Sequence, residues 1–253
     1  FFAKSCRWLR RAREATDANS LEFYAQTRGF DSVGEWASLL VHPMLIAYVP
    51  FDRSDYGDLA RIAVAKEGWT LMYVPTDHPD YGDLAKIAVA QDGSALEYVP
   101  KNRSDYDEIA KIAVAENGHA LEHVSPNRDN YGELARIAVA RNWSGFQYVP
   151  KNHPDYNEIA RIAMAGFGVA LHWVPRNHPD YGDLARIAVA QNEMALLYVP
   201  KNRPDYGELA RIAVAQDGLA LKHVPTDRSD FGALARIAVA QTGYVLRFVP
   251  DDR

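Results

Sequence analysis

Acidic and basic residues three positions apart are the first candidates for chemistry. A carboxylate beside a cation can act as a general acid or base. A catalytic pair would be unique in a chain, but this pair recurs in almost every segment of 25 residues. Residues three apart on a helix share a face and attract each other weakly, so we predict a structural ladder of ion pairs. Its members are Asp58/Arg61, Asp83/Lys86, Glu108/Lys111, Glu133/Arg136, Glu158/Arg161, Asp183/Arg186 and Glu208/Arg211.

The histidines offer two arrangements. His119 and His123 have the spacing that chelates zinc on a helix, but no third ligand is evident and residue 123 aligns with Tyr98 and Trp173, which favours packing. Three other histidines alternate with arginine at one register. Because the position accepts both residue types, we predict a cation or a hydrogen-bond donor there, facing a helix C-terminus. A metal ligand could not be replaced by arginine, so we predict no metal site. That register holds Arg53, His78, Arg103, Arg128, His153, His178, Arg203 and Arg228.

No nucleophile stands in a catalytic motif. Cys6 lies among basic residues that would lower its pKa, but no partner base is evident. The chain also lacks a P-loop, a dinucleotide-binding fingerprint, a zinc-protease helix and a nucleophile elbow. We therefore predict a protein that is not an enzyme, with no catalytic residue, cofactor or metal.

These residues belong to one unit of 25 residues that is written eight times without insertion or deletion. In its clearest copy, apolar residues from Leu209 to Ala215 follow helical spacing. Asp205 and Glu208 predict a capping box, and Gly218 predicts a left-handed helix end. The segment from Ala220 to Pro225 is long enough for only a short helix. Fixed-period repeats form stacked arrays, so we predict an all-α, right-handed α-solenoid whose units pair a helix of about three turns with a short α or 3₁₀ helix.

The repeats predict three segments along the chain. Residues 51–250 form the eight-repeat solenoid. Residues 1–50 form an N-terminal helical segment, in which residues 31–50 read as a degenerate capping repeat of the kind stacked arrays need. The arginine-rich start fits either a polar capping helix or the remnant of an organelle-targeting peptide. Residues 251–253 match the start of a further repeat or form a tail.

Composition excludes several classes of function. The net charge is −5, which disfavours a general polyanion binder. A single cysteine permits no disulfide framework and is compatible with a reducing compartment. No apolar run approaches the length of about 20 residues that a membrane span requires.

Two positions of the short helix vary between repeats while the frame stays constant. They lie three apart and share a face, and several hold large apolar side chains, which are common anchors at protein interfaces. The alternative is that these side chains fill gaps between repeats. With aromatic residues that break the frame, the candidate partner-binding residues are Trp69, Met72, Trp143, Phe146, Phe167, Met194, Leu197 and Tyr244.

The repeated tract from Ile87 to Val99 resembles the domain-of-unknown-function family DUF4116. Its pattern of an Ala-Val pair, a polar residue with Asn-Gly or Asp-Gly, and then Ala-Leu recurs over residues 51–250, clearly at 117–121 and 217–221. Residues 141–146, residues 165–168 and Glu193 depart from it. The resemblance implies an all-α repeat array, known from bacteria, protists and some secreted bacterial effectors, and it implies no activity.

We therefore expect a repeat scaffold that binds protein partners, as an adaptor or accessory subunit of a larger complex. Two alternatives stay open. One is a repeat protein that reads RNA with its repeated Arg/Lys and Tyr residues, against which the net charge argues. The other is a secreted effector that acts by binding a host protein.

Overall fold

The computed structural model describes residues 41–250, which are helical and contain no β-strand. Long α-helices alternate with short 3₁₀ helices at the predicted period of 25 residues. The long helices are α1 Tyr56–Lys66, α2 Tyr81–Gln91, α3 Tyr106–Glu116, α4 Tyr131–Arg141, α5 Tyr156–Gly166, α6 Tyr181–Gln191, α7 Tyr206–Gln216 and α8 Phe231–Gln241. The short helices are η1 Pro43–Tyr48, η2 Gly68–Tyr73, η3 Gly93–Tyr98, η4 Gly118–His123, η5 Trp143–Tyr148, η6 Gly168–Trp173, η7 Glu193–Tyr198, η8 Gly218–His223 and η9 Gly243–Phe248.

The chain divides into two compact units, with the boundary between Ser125 and Pro126. In the first unit, α1 to α3 pack side by side in one layer and η2 to η4 pack side by side in a second. In the second unit, α4 to α8 and η5 to η9 form the same two layers. The predicted all-α repeat array is therefore confirmed within each unit, while its right-handedness stays a prediction.

The predicted N-terminal helical cap falls mostly on residues 1–40, which lie outside the described residues, as do residues 251–253. Within the described part, η1 has the register of the later short helices, as the predicted capping repeat requires. It contributes Leu45 and Ile46 to the core and packs against α1.

The first seven long helices bury side chains at the same five positions, and the eighth buries four of them. In α7 these are Tyr206, Leu209, Ala210, Ala213 and Val214. The alanines let neighbouring helices approach closely, because they carry only a methyl group. The tyrosine hydroxyl donates to a backbone carbonyl oxygen at the end of the same repeat's short helix, as Tyr81 does to Tyr98 at 2.9 Å. The long and short helices of one repeat are thus joined by a partly buried hydrogen bond.

The predicted capping box is wrong. Asp205 does precede α7, and its carbonyl oxygen accepts the amide of Leu209, but its side chain makes no capping hydrogen bond. The carboxylate instead accepts two hydrogen bonds from the guanidinium of Arg203, at 2.9 and 2.8 Å. The backbone of Asp205 explains this, because its φ of -89° and ψ of 1° are those of a turn and not the extended conformation of an N-cap residue. Asp80 has nearly the same conformation and also makes no capping hydrogen bond, although a histidine and not an arginine stands two residues before it.

The predicted left-handed glycine at the helix end is also wrong. No glycine among residues 41–250 has a positive φ, and Asp217 ends α7 in an extended conformation. Gly218 is favoured for another reason, which is the closeness of the next repeat. A Cβ at this position would lie 2.8 Å from the carbonyl oxygen of Ala238 in α8.

Candidate partner-binding surface

The long helices carry ion pairs, but those with the shortest distances join neighbouring repeats and not the predicted residues three apart in one helix. Arg136 donates to both carboxylate oxygens of Glu158 in the next repeat, at 2.8 and 2.7 Å. Lys86 pairs with Glu108 at 2.9 Å in the same way. Within one helix, Arg186 also contacts Asp183 at 3.3 Å. The ladder therefore links neighbouring repeats, which is a structural role.

The register shared by arginine and histidine contacts the preceding repeat. The guanidinium of Arg103 lies 4.8 Å from the centre of the Tyr81 ring, and the His78 ring lies 5.3 Å from that of Tyr56. The predicted partner, a helix C-terminus, is thus wrong, because the side chain packs on the tyrosine that begins the preceding long helix. Hydrogen bonds from Arg103 lower the pKa of the Asp105 carboxyl.

His78, at this register, does not act as a donor toward Asp80. Its Nδ1 accepts a hydrogen bond from the backbone amide of Asp80, at 3.2 Å. Over residues 41–250, no group of three or more His, Cys, Asp or Glu residues is arranged to hold a metal ion. Cys6 lies outside the described residues.

The eight candidate partner-binding residues differ in exposure. Met72, Met194, Leu197 and Tyr244 are exposed, with Leu197 at 48% and Met72 at 51%. Trp69, Trp143 and Phe167 are half-buried. Trp69 is also held by its own repeat, since its Nε1 donates to Glu67 at 2.6 Å and its ring packs edge-on against Tyr73.

Phe146 does not belong to an exposed surface. It occupies the fourth position of η5, where Leu196 stands in η7, and it is fully buried. Its ring packs 5.3 Å from that of Tyr156, the tyrosine that begins the next repeat. For this residue, the alternative of filling a gap between repeats is the observed one.

The second and fifth residues of η2 to η9 form what we term the short-helix surface. In a 3₁₀ helix, residues three apart eclipse each other, so both side chains project on the same side. In the first unit it comprises Trp69, Met72, Ser94, Glu97, His119 and Glu122. In the second unit it comprises Ser144, Gln147, Val169, His172, Met194, Leu197, Leu219, Lys222, Tyr244 and Arg247.

Residues 81–128, which span α2, η3, α3 and η4, match the family described as Domain of unknown function (DUF4116). The resemblance to DUF4116 is confirmed for these repeats. No curated protein and no solved structure matches the chain. In the part of the chain that the structure describes, no helix is long and apolar enough to cross a membrane.

Among the seven repeats whose long helix begins with tyrosine, one departs from the others in a way that the sequence did not indicate. In six repeats the tyrosine hydroxyl donates to the carbonyl 17 residues later. In the repeat that begins at Tyr156, the corresponding carbonyl oxygen belongs to Trp173, and it accepts a hydrogen bond from the Lys151 ammonium at 2.9 Å. The Tyr156 hydroxyl is buried without a partner, and burial lowers the pKa of Lys151.

Proposed function

We propose that this chain is a repeat scaffold without enzymatic activity that binds a protein partner through its short-helix surface, as an adaptor or accessory subunit of a larger assembly. The observation that carries the proposal is the adjacent pair of exposed apolar side chains on η7, Met194 at 36% and Leu197 at 48%. Methionine is enriched at protein interfaces, and their buried centres are apolar.

The surroundings of this pair support the proposal. Ala195 and Leu196 of the same short helix are buried, and η7 packs against η6, η8, α6 and α7. The backbone under the pair is therefore ordered, so binding costs conformational entropy only in the two side chains. An apolar pair on a rigid backbone can contribute an anchor to an interface.

No described contact favours the RNA-binding alternative. The ladder cations Lys86, Arg136 and Arg186 bond to carboxylates of neighbouring repeats. The exposed side chains at the centre of the second unit's short-helix surface are aliphatic, whereas sequence-tolerant binding of single strands uses aromatic side chains on which bases stack.

The test is quantitative affinity capture with the double variant Met194→Ala/Leu197→Ala. The matched control is Ser94→Ala/Glu97→Ala, which changes the same two positions on η3. We expect the η7 variant to lose a partner that the unaltered chain retains in stoichiometric amount, while its melting temperature stays unchanged. The opposite pattern, with unaltered capture and a lower melting temperature, would show that the two side chains only fill space.

A further inference from the structure

The short-helix surface of the second unit carries a positive charge that the chain as a whole does not. Lys222 and Arg247 occupy its fifth position on η8 and η9, and both are exposed. The whole chain has a net charge of −5. The same positions in the first unit hold Glu97 and Glu122 on η3 and η4, so the cations are not a property of the repeat itself.

Other cations extend this charge at the edge of the surface. Lys201 and Arg176 are exposed and follow the prolines that close two successive repeats. The charges of Lys222 and Lys201 both lower the pKa of His223, which ends η8, after the larger effect of burial. Both lysines therefore act at the same end of one short helix.

Glu193 is the one acid on the short helices of the second unit. It lies at the start of η7, is half-buried, and its charge raises the pKa of His223 against the two lysines. In the loop after η8, Asp227 is exposed. Asp217 is engaged in a cap, since its carboxylate accepts the backbone amide of Leu219 at 2.8 Å. The surface thus presents apolar side chains on η7 and Lys222 on η8. On η9 it presents Arg247, whose guanidinium stacks on the exposed ring of Tyr244 at 3.8 Å.

We infer that the partner of this surface is an extended acidic peptide segment, in which an apolar residue is followed on one side by acidic residues. The inference rests on the proposed function, and it identifies the chemistry of the ligand. The apolar residue contacts Met194 and Leu197, while the carboxylates pair with Lys222 and Arg247. Complementary charge of this kind mainly sets specificity and the rate of association.

The spacing of the repeats sets the spacing in the peptide. Packed helices lie about 10 Å apart, and an extended chain advances about 3.3 Å per residue. One step from η7 to η8 therefore corresponds to about three peptide residues, and two steps to η9 correspond to about six. We expect acidic residues at about these two distances from the apolar anchor.

The experiment is selection of a phage-displayed library of random dodecapeptides on the full chain, followed by affinity measurement of the enriched peptides. Two variants are compared with the unaltered protein. Lys222→Glu/Arg247→Glu reverses the charge, and Met194→Ser/Leu197→Ser removes the apolar pair. Unaltered melting temperatures serve as the control for folding, since all four side chains are exposed.

We expect enriched peptides with an apolar residue and acidic residues at the stated spacing. Charge reversal should weaken their binding roughly tenfold, in line with rim charges that govern specificity and salt dependence, and should redirect selection to basic peptides. Binding should also weaken as salt concentration rises.

Peptides whose binding requires Met194 and Leu197 but is unaffected by the charge reversal would overturn the acidic partner and leave the proposed function standing. Enriched peptides whose binding neither variant weakens, or no enrichment at all, would count against both the acidic partner and the proposed function. Tight binding of a single-stranded RNA oligonucleotide that charge reversal abolishes, without peptide enrichment, would assign the cations to nucleic acid and overturn the inference.

Discussion

Replacing Gly168 by alanine should destabilise the second unit, although alanine is normally the better residue in a helix. Gly168 begins η6 and is buried. A Cβ there would collide with the backbone carbonyl oxygen of Ala188 in α6 and would lie 3.1 Å from the Cβ of Asn192. A backbone carbonyl cannot rotate away as a side chain can, so the two repeats must separate.

Separation of the two repeats would also lengthen a hydrogen bond between them. The amide of Gly168 donates to Oε1 of Gln191 at 2.6 Å, which joins η6 to the end of α6. Overpacking a close contact costs typically about 1–3 kcal/mol. Because Trp143 and Glu193 occupy the same register in two other repeats, the backbone can open at this place, and we expect a cost within that range instead of loss of the fold.

Two glycines provide matched controls. Gly166 lies two residues earlier, at the end of α5, and a Cβ there meets no atom within 4 Å. Gly166→Ala should therefore stabilise the protein by about 0.4–1 kcal/mol, mainly by restricting the unfolded chain. Gly243 has the same register as Gly168, and a Cβ there also meets no atom within 4 Å, so Gly243→Ala should not destabilise.

Urea unfolding followed by far-UV circular dichroism measures these differences. We expect Gly168→Ala and Gly166→Ala to differ by about 1.4–4 kcal/mol, which is the sum of the two effects. A melting experiment should show the same order, at roughly 2–4 °C per kcal/mol for a chain of this size. The reasoning is refuted if Gly168→Ala is as stable as Gly166→Ala, or if Gly243→Ala costs as much as Gly168→Ala.

Two further predictions concern buried polar groups. Lys151→Met should leave the free energy of unfolding at pH 7 unchanged or higher, because it frees the Trp173 carbonyl for the Tyr156 hydroxyl. Urea unfolding measures this, with Lys201→Met as the control at the same register, and a clear loss of stability in Lys151→Met would contradict the prediction. Burial raises the pKa of Tyr81 and Tyr131 to about 12, above the ordinary value of about 10. Stability from the neutral hydroxyls is therefore complete below about pH 10 and is lost as the pH rises toward 12. The melting temperature should therefore fall as the pH is raised above about 10, while tyrosinate absorbance follows the ionisation of the tyrosines. The fall should be smaller in Tyr81→Phe/Tyr131→Phe, and a constant melting temperature up to pH 11.5 would contradict the prediction.

The sequence predicted the features that depend on a residue and its neighbours along the chain. Helical spacing from Leu209 to Ala215 indicated a long helix, and α7 spans it. The repeated pairing of acid and base indicated ion pairs within a helix, and Asp183 and Arg186 form one, whereas Arg136 pairs with Glu158 of the next repeat. Periodicity captures such features because both partners recur at fixed distances in the chain.

The errors have other physical causes. Asp205 does not cap α7 because its backbone is in a turn conformation, with φ of -89° and ψ of 1°, and spacing along the chain does not specify those angles. The role of Gly218 depends on how closely Ala238 approaches from the next repeat. Phe146 replaces a leucine at a position that the neighbouring repeat covers, as its contact with Tyr156 shows. A single repeat contains no information on the distance to its neighbour, so the roles of Gly218 and Phe146 could not be read from the pattern.

The difference between the two layers explains where a partner can be recognised. On the long helices, most positions are constrained by a neighbouring repeat, as the Lys86–Glu108 pair shows. On the short helices from η2 to η8, the second and fifth residues project outward while the third and fourth fill the core, as Ala195 and Leu196 do beside Met194 and Leu197. Substitutions at the outward positions therefore change the surface without disturbing the stack. This is why one scaffold can present acids on η3 and η4 and cations on η8 and η9, and why we place recognition on the short helices.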